Sequence, residues 1–206
     1  GPAAEAVIRH AFSKNLKVLA IAIWPDGAQL SRAILDRLGK EYNKEYGKDY
    51  VNLGYKSGGS VVLLGIGGGF STYFPTDIDG RPLSELPLMS KVKDYSNIAI
   101  VLSFSAGFPG LKEYVLTVNS QFNTKVAGAC TAVSAPEMYT FLNSGQLVGL
   151  MGGLKGAAEY EALIKLNGMA RKGMDAQSVV HILIILFILF ANVVYFIDKY
   201  RNKKSA

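Results

Sequence analysis

The stretch Leu16-Lys17-Val18-Leu19-Ala20-Ile21-Ala22-Ile23-Trp24-Pro25-Asp26-Gly27 decides the fold. Its first nine residues form a near-continuous apolar run, the pattern of a strand covered on both faces. Pro25-Asp26-Gly27 ends the run, which is too short to cross a bilayer. Asp26 is placed to cap a following helix in which Leu30, Ile34, Leu38 and Tyr42 recur at one-turn spacing. Lys40, Glu41 and Lys44 would face water, and Gly47 is a natural stop. A buried strand followed by an amphipathic helix is the unit of a parallel sheet, because parallel strands need a crossover between them.

Working outward, residues 3–13 predict a short helix before this strand. Gly1-Pro2 has the form of a pair left by tag cleavage, which leaves room for a signal or first span upstream in the natural protein. Downstream, Val51, Leu53 and Tyr55 alternate as a half-buried strand, Lys56-Ser57-Gly58-Gly59 supplies turn residues, and Val61–Ile66 reads as another apolar strand. Glycine, proline and aspartate dominate residues 67–96, predicting an irregular excursion with a helical turn near Leu86–Val92. Ile98–Phe104 and Lys125–Val133 read as strands, and Gly110–Asn123 as a helix. Ser134-Ala135-Pro136-Glu137 opens a further helix with Ser134 as its cap. The expected fold is α/β: a layered, mostly parallel open sheet with helices on both faces, in one domain over residues 1–176.

A second apolar run, Val179–Ile197 (VVHILIILFILFANVVYFI), holds only His181 and Asn192 as polar members. At 1.5 Å per residue its length covers about 28 Å, close to a hydrocarbon core of ~30 Å. It predicts one transmembrane helix over 177–198, preceded by a juxtamembrane stretch at 169–176 and followed by a basic tail at 199–206. Tyr195 and Tyr200 suit an interfacial belt. Lys199, Arg201, Lys203 and Lys204 outnumber Arg171 and Lys172 on the other flank, which favours a cytoplasmic tail with the domain outside. Asn192 needs a partner in lipid, either its own backbone or another helix.

Between 145 and 168 the sequence predicts an unusually small-sided helix, with Gly145, Gly149, Gly153 and Ala157 recurring every four residues. Small residues at that spacing let backbones approach, within the domain or against a partner helix.

Composition narrows the chemistry. With 206 residues, 50% hydrophobic and 18% charged, the chain can bury a sizeable core. A net charge of +6 spread over helical stretches and the tail gives no block suited to nucleic acid. Cys130 is the only cysteine, and His10 and His181 are the only histidines, which excludes a disulfide framework and imidazole-rich metal centres. No cofactor or metal is expected.

Several motifs invite chemistry and stop short of it. Gly65-Ile66-Gly67-Gly68-Gly69 after an expected strand looks like a phosphate loop, but Phe70 breaks GxGxxG and no GxxxxGK[ST] is present. Asp77-Ile78-Asp79-Gly80 matches the middle of a calcium loop and fails at both ends, leaving an Asp-Gly turn. Ser103-Phe104-Ser105-Ala106-Gly107, between strand and helix, is placed like a nucleophile elbow with Ser105 as nucleophile. Neither histidine suits a triad, so such an enzyme would need Lys112, Lys125 or Lys155 with a pKa depressed by burial.

If the strands run parallel, their carboxyl ends gather Asp26, Gly67, Gly68, Gly69, Ser103, Ser105, Thr131 and Ser134 along one edge, where open α/β sheets bind ligands. That set is rich in hydroxyls and amides and poor in acid-base groups. The expectation is a membrane-anchored, noncatalytic module that binds a small polar or anionic ligand or a protein, as a homo-oligomer or beside a membrane-protein partner. A Ser-Lys hydrolase at Ser105 is the alternative.

Overall fold

The computed structural model describes the backbone of residues 1–204, and side chains as far as Tyr200. The chain is mixed α/β with two small parallel sheets. Strand β1 (Val18–Ala22) is followed by helix α2 (Pro25–Glu41) and strand β2 (Tyr50–Tyr55), which lies parallel to β1 with Val18 opposite Tyr50. The second sheet has the order β3 (Val101–Phe104), β4 (Val126–Cys130), β5 (Leu147–Gly152), again all parallel. Among the described residues no strand ladder joins β1 to β3.

Strand alternation puts a core on each face of β1 and β2. On one side, Val18, Ala20 and Tyr50 pack with Phe12 and Ile8 of helix α1 (Pro2–Ser13) and with Leu35 and Leu38 of α2. Gly39 is required there, because a Cβ would stand 2.7 Å from the Tyr50 ring. Leu19, Ile21, Val51 and Leu53 point the other way, into the larger core. That core includes helix α3 (Ser60–Ile66), the short helices α4 (Phe70–Tyr73) and α5 (Pro87–Lys91), and a helical stretch made of α6 (Leu111–Tyr114), a π-wound turn and α7 (Ser120–Phe122). Helices α8 (Ala135–Asn143) and α9 (Gly153–Leu163) follow β4 and β5.

Ion pairs bind α1 to α2. Glu5 accepts from Arg37 at 2.7 Å and Arg9 at 3.1 Å, and Arg9 also pairs with Glu41. The Arg37 hydrogen bond is the chief cause that holds the mostly buried Glu5 carboxyl below its ordinary range, against the opposing cost of burial.

Two expectations need correcting. Val61–Ile66 is helix, not strand: Gly58 and Gly59, both at positive φ, turn the chain into α3, whose Val62, Leu63 and Ile66 are buried while Val61 and Leu64 are exposed. An apolar run this short satisfies a buried helical turn as readily as a strand. The small-sided helix over 145–168 is instead strand β5 and helix α9. Gly145 and Gly153, at φ of 78° and 61°, bracket the strand, and Gly149 sits inside it opposite Ala127. Gly145, Gly149, Gly153 and Ala157 therefore form no single helix stripe.

Helix α10 (Met169–Lys204) is the one described helix long and apolar enough to cross a membrane, and none of its most apolar stretch is buried against the domain. Asn192 donates to the Ile188 carbonyl at 2.9 Å, so its amide is satisfied by its own helix. The outer end of the basic tail, at 205–206, lies outside the described residues.

Glu161 joins this helix to the domain. The side chain is 1% exposed on α9, and its two oxygens accept the Ala170 and Arg171 amides at 2.9 Å each. A carboxylate there satisfies amides of the first turn and complements the positive end of α10. A Cβ on Gly168 would collide with the carboxylate, which is why the linker carries glycine at that point.

Two outcomes follow from these contacts. Glu161→Ala is expected to lower stability by about 2 kcal/mol in urea unfolding and to expose residues 164–170 to protease, while Glu161→Gln keeps part of both. For Glu5, whose folded pKa is depressed, the added stability is fully present above its unfolded pKa of about 4.3 and is lost as pH falls through the lower folded value. Glu5→Gln should remove that acid limb from the stability-versus-pH curve and leave the rest of its shape unchanged.

Candidate functional site

The carboxyl ends of the strands gather loops on one edge. β1 runs out at Trp24, β2 into Lys56–Gly59, β3 into Ser105–Gly110, and β4 into Thr131–Ser134. Cross-contacts hold these loops together. The Lys56 amide donates to the Ala22 carbonyl at 3.0 Å, the Trp24 indole to the Pro109 carbonyl at 3.3 Å, and Pro109 packs on Gly59. The Phe108-Pro109 bond is cis, and Phe108 and Val133 stand 76% and 91% exposed beside the hydroxyls of the edge.

Of the residues expected here, Thr131 and Ser134 are present, the first half-buried and the second exposed. Their hydroxyls lie 2.9 Å apart, and the Ser134 amide donates to the Thr131 hydroxyl at 3.3 Å. Asp26 is exposed in the first turn of α2, but Trp24 takes the capping position and no side chain caps this helix. Ser103 is buried within β3 opposite Gly128, below the loops.

Gly67, Gly68 and Gly69 belong elsewhere. Because Val61–Ile66 is helical and starts at this edge, the chain leaves it along α3, and the glycines follow the helix's far end. There Gly67 lies against the Phe122 ring with no room for a Cβ, and the Phe70 amide after the glycines donates to the Lys93 carbonyl at 2.8 Å. Gly67 is a packing glycine, and Gly69 turns the chain at a φ of 134°.

Ser105 occupies the expected strand-to-helix bend, but its oxygen accepts the Leu111 amide at 3.0 Å and so caps α6. The Gly110 amide donates to Glu113 at 2.6 Å in the same turn. All three candidate lysines are exposed. Lys112 donates to Glu137 at 2.7 Å, and that hydrogen bond pushes its pKa up, away from what a neutral base needs. Lys125 is exposed, and Lys155 faces water beside Glu159 at 3.7 Å. His10 bonds the Tyr160 hydroxyl at 2.7 Å where α1 meets α9.

Asp77 forms a closed turn. Its oxygens accept the Asp79 amide at 2.9 Å, the Arg81 amide at 2.8 Å and the Tyr46 hydroxyl at 2.8 Å. Burial, then the Asp77 bond, pushes the Tyr46 phenol up. Among the described residues no group of three or more His, Cys, Asp and Glu side chains is placed to hold a metal. Cys130 is buried, and burial pushes its thiol up.

Trp24, Phe108 and Pro109 were not foreseen as a unit. Their only signal is the pair of prolines at 25 and 109 after β1 and β3, which says that both loops turn sharply but not that they meet. No protein-family model, curated protein or solved structure matches the chain.

The capping role of Ser105 has a direct measure. Ser105→Ala should cost about 1 kcal/mol in urea unfolding, and Ser105→Asp should recover much of it, since a carboxylate also caps.

Proposed function

We propose that this chain is a membrane-anchored, noncatalytic α/β module that works through the carboxyl-end edge of its strands. The observation that carries this reading is the composition of that edge: hydroxyls at Thr131 and Ser134, glycine-rich loop backbone at Gly58 and Gly59, exposed apolar side chains, and no general base within the bonding network of Ser105. Such a surface is equipped to recognise a small polar or anionic ligand, with Phe108 and Val133 available to a protein partner. The anchor is α10, and the excess of basic residues after its apolar run supports a cytoplasmic tail with the domain on the other side. The apolar α10 and the exposed apolar rim support work inside a larger membrane assembly.

The only tryptophan, Trp24, stands on this edge half exposed and serves as the reporter. Titration with inorganic phosphate should change its emission saturably, and the double variant Thr131→Val/Ser134→Ala should weaken the apparent affinity at least fivefold. A linear, unsaturating response would remove the anionic-ligand reading. Labelling of the folded protein by a serine-reactive fluorophosphonate, abolished by Ser105→Ala, would replace the noncatalytic reading with a hydrolase.

A further inference from the structure

The two parallel sheets are separated by a slot, and the burial pattern is the reverse of what sheet position requires. In a parallel sheet the interior strands are the covered ones. Here β2 is buried along Tyr50–Gly54 and β4 throughout, whereas β1 and β3, which lie between them, are mostly half-buried. The slot has a volume of about 400 Å³, with Val18–Trp24, including β1, on one wall and Ile98 with Ile100–Ser105, including β3, on the other. Apolar side chains line both walls, and Ile100 and Phe104 are each 40% exposed.

The backbone of each wall is half used. The Val18 amide and the Ala22 carbonyl bond toward β2, and the Val101 and Ser105 amides bond toward β4. By alternation, Leu19, Ile21 and Ile23 on one side and Ile100, Leu102 and Phe104 on the other turn their amides and carbonyls into the slot. Two facing strand edges with free pairing groups are a template for a strand between them. A lipid chain or other apolar molecule could fill the space but would leave those backbone groups unpaired.

Helix α1 shows where such a strand would come from. Gly1, Ala4, Val7, Ile8 and Ala11 line the slot, so α1 lies lengthwise over it, and only residues 14–17 separate α1 from the start of β1. α1 therefore runs antiparallel to β1, with Gly1 at the carboxyl end of the strands. A strand in the slot, parallel to β1, would finish next to Gly1. The α1–α2 ion pairs put both helices on one face, so strand–α1–β1 would repeat the hand of β1–α2–β2, as connected parallel strands do.

We propose that the slot is the seat of a sixth parallel strand, an extended apolar segment of the natural protein that leads directly into α1 and joins the two sheets into one, in the order β2-β1-strand-β3-β4-β5. The segment supplies backbone pairing to both walls and alternating apolar side chains, one set under α1 and the other toward Phe70, Tyr95 and Tyr114.

The test compares the full chain in detergent carrying one of two N-terminal extensions: seven alternating Val and Thr residues joined to Gly1 through a short turn, or a Gly/Ser segment of equal length. The measurement is amide hydrogen exchange at Leu19, Ile21, Ile23, Ile100, Leu102 and Phe104. The Val/Thr extension is expected to slow exchange at these amides at least tenfold relative to the Gly/Ser extension and to raise the thermal midpoint. Equal exchange in two chains of equal circular dichroism would overturn the proposal. So would equal protection by the free Val/Thr peptide at matched concentration, which would assign the slot to a strand from another chain. Protection by oleate that the extension fails to displace would also overturn it, assigning the slot to an acyl chain. A Leu/Thr extension, read the same way, keeps the comparison available if the first extension aggregates.

Discussion

Every strand in this domain is parallel to its neighbour, and that one condition dictates most of what surrounds it. A parallel strand cannot return through a tight turn, so each pairing needs a crossover, and each crossover covers a face with a helix. Between β1 and β2 this gives α2; between β3 and β4 it gives the α6–α7 stretch; between β4 and β5 it gives α8. The condition also governs the loops. Because all five strands point the same way, their exits collect at one edge, and residues as distant as Trp24, Gly59 and Pro109 become neighbours there.

The alternation of strand and helix was legible wherever a single periodic signal acted alone. The run before Pro25, the strands at 98–104 and 125–133, and the helix opened by Ser134-Ala135-Pro136 all fall where their patterns put them, with ends trimmed by a few residues. Periodicity failed in two places for identifiable reasons. Val61–Ile66 is apolar at nearly every position, so it carries no period, and only the positive-φ pair Gly58-Gly59 directs it into a helix. The glycines at 145, 149 and 153 share a spacing by coincidence: the first and third are conformational stops at positive φ, and the second is a strand residue. Spacing alone cannot separate a packing glycine from a turning one.

The candidate site was legible in part. Thr131, Ser134 and Ser105 were placed at the strand ends because they follow strands that exist. Gly67–Gly69 were placed there by a strand that does not. The contact of Trp24 with Pro109 spans 85 residues and depends on how two loops fold toward each other, which local pattern does not encode. Ser105 shows how one position fits two roles. A serine at a strand-to-helix bend serves equally as nucleophile or cap, and only its neighbours decide; here the neighbour is the Leu111 amide, whose hydrogen bond the serine oxygen accepts.

Glu161 gives α10 a property that a flexible linker would lack. With both carboxylate oxygens fixed on the first turn of α10, the helix leaves the domain in a defined direction instead of swivelling about residues 164–168. Helix α10 has 36 residues, about 54 Å of rigid rod. A hydrocarbon layer of ~30 Å would take little more than half of it, and the ten residues from Met169 to Ser178 cover about 15 Å of the remainder. In a bilayer such a rod would be a gauge as well as a tether. It would set the height and the tilt of the strand-end loops above the lipid.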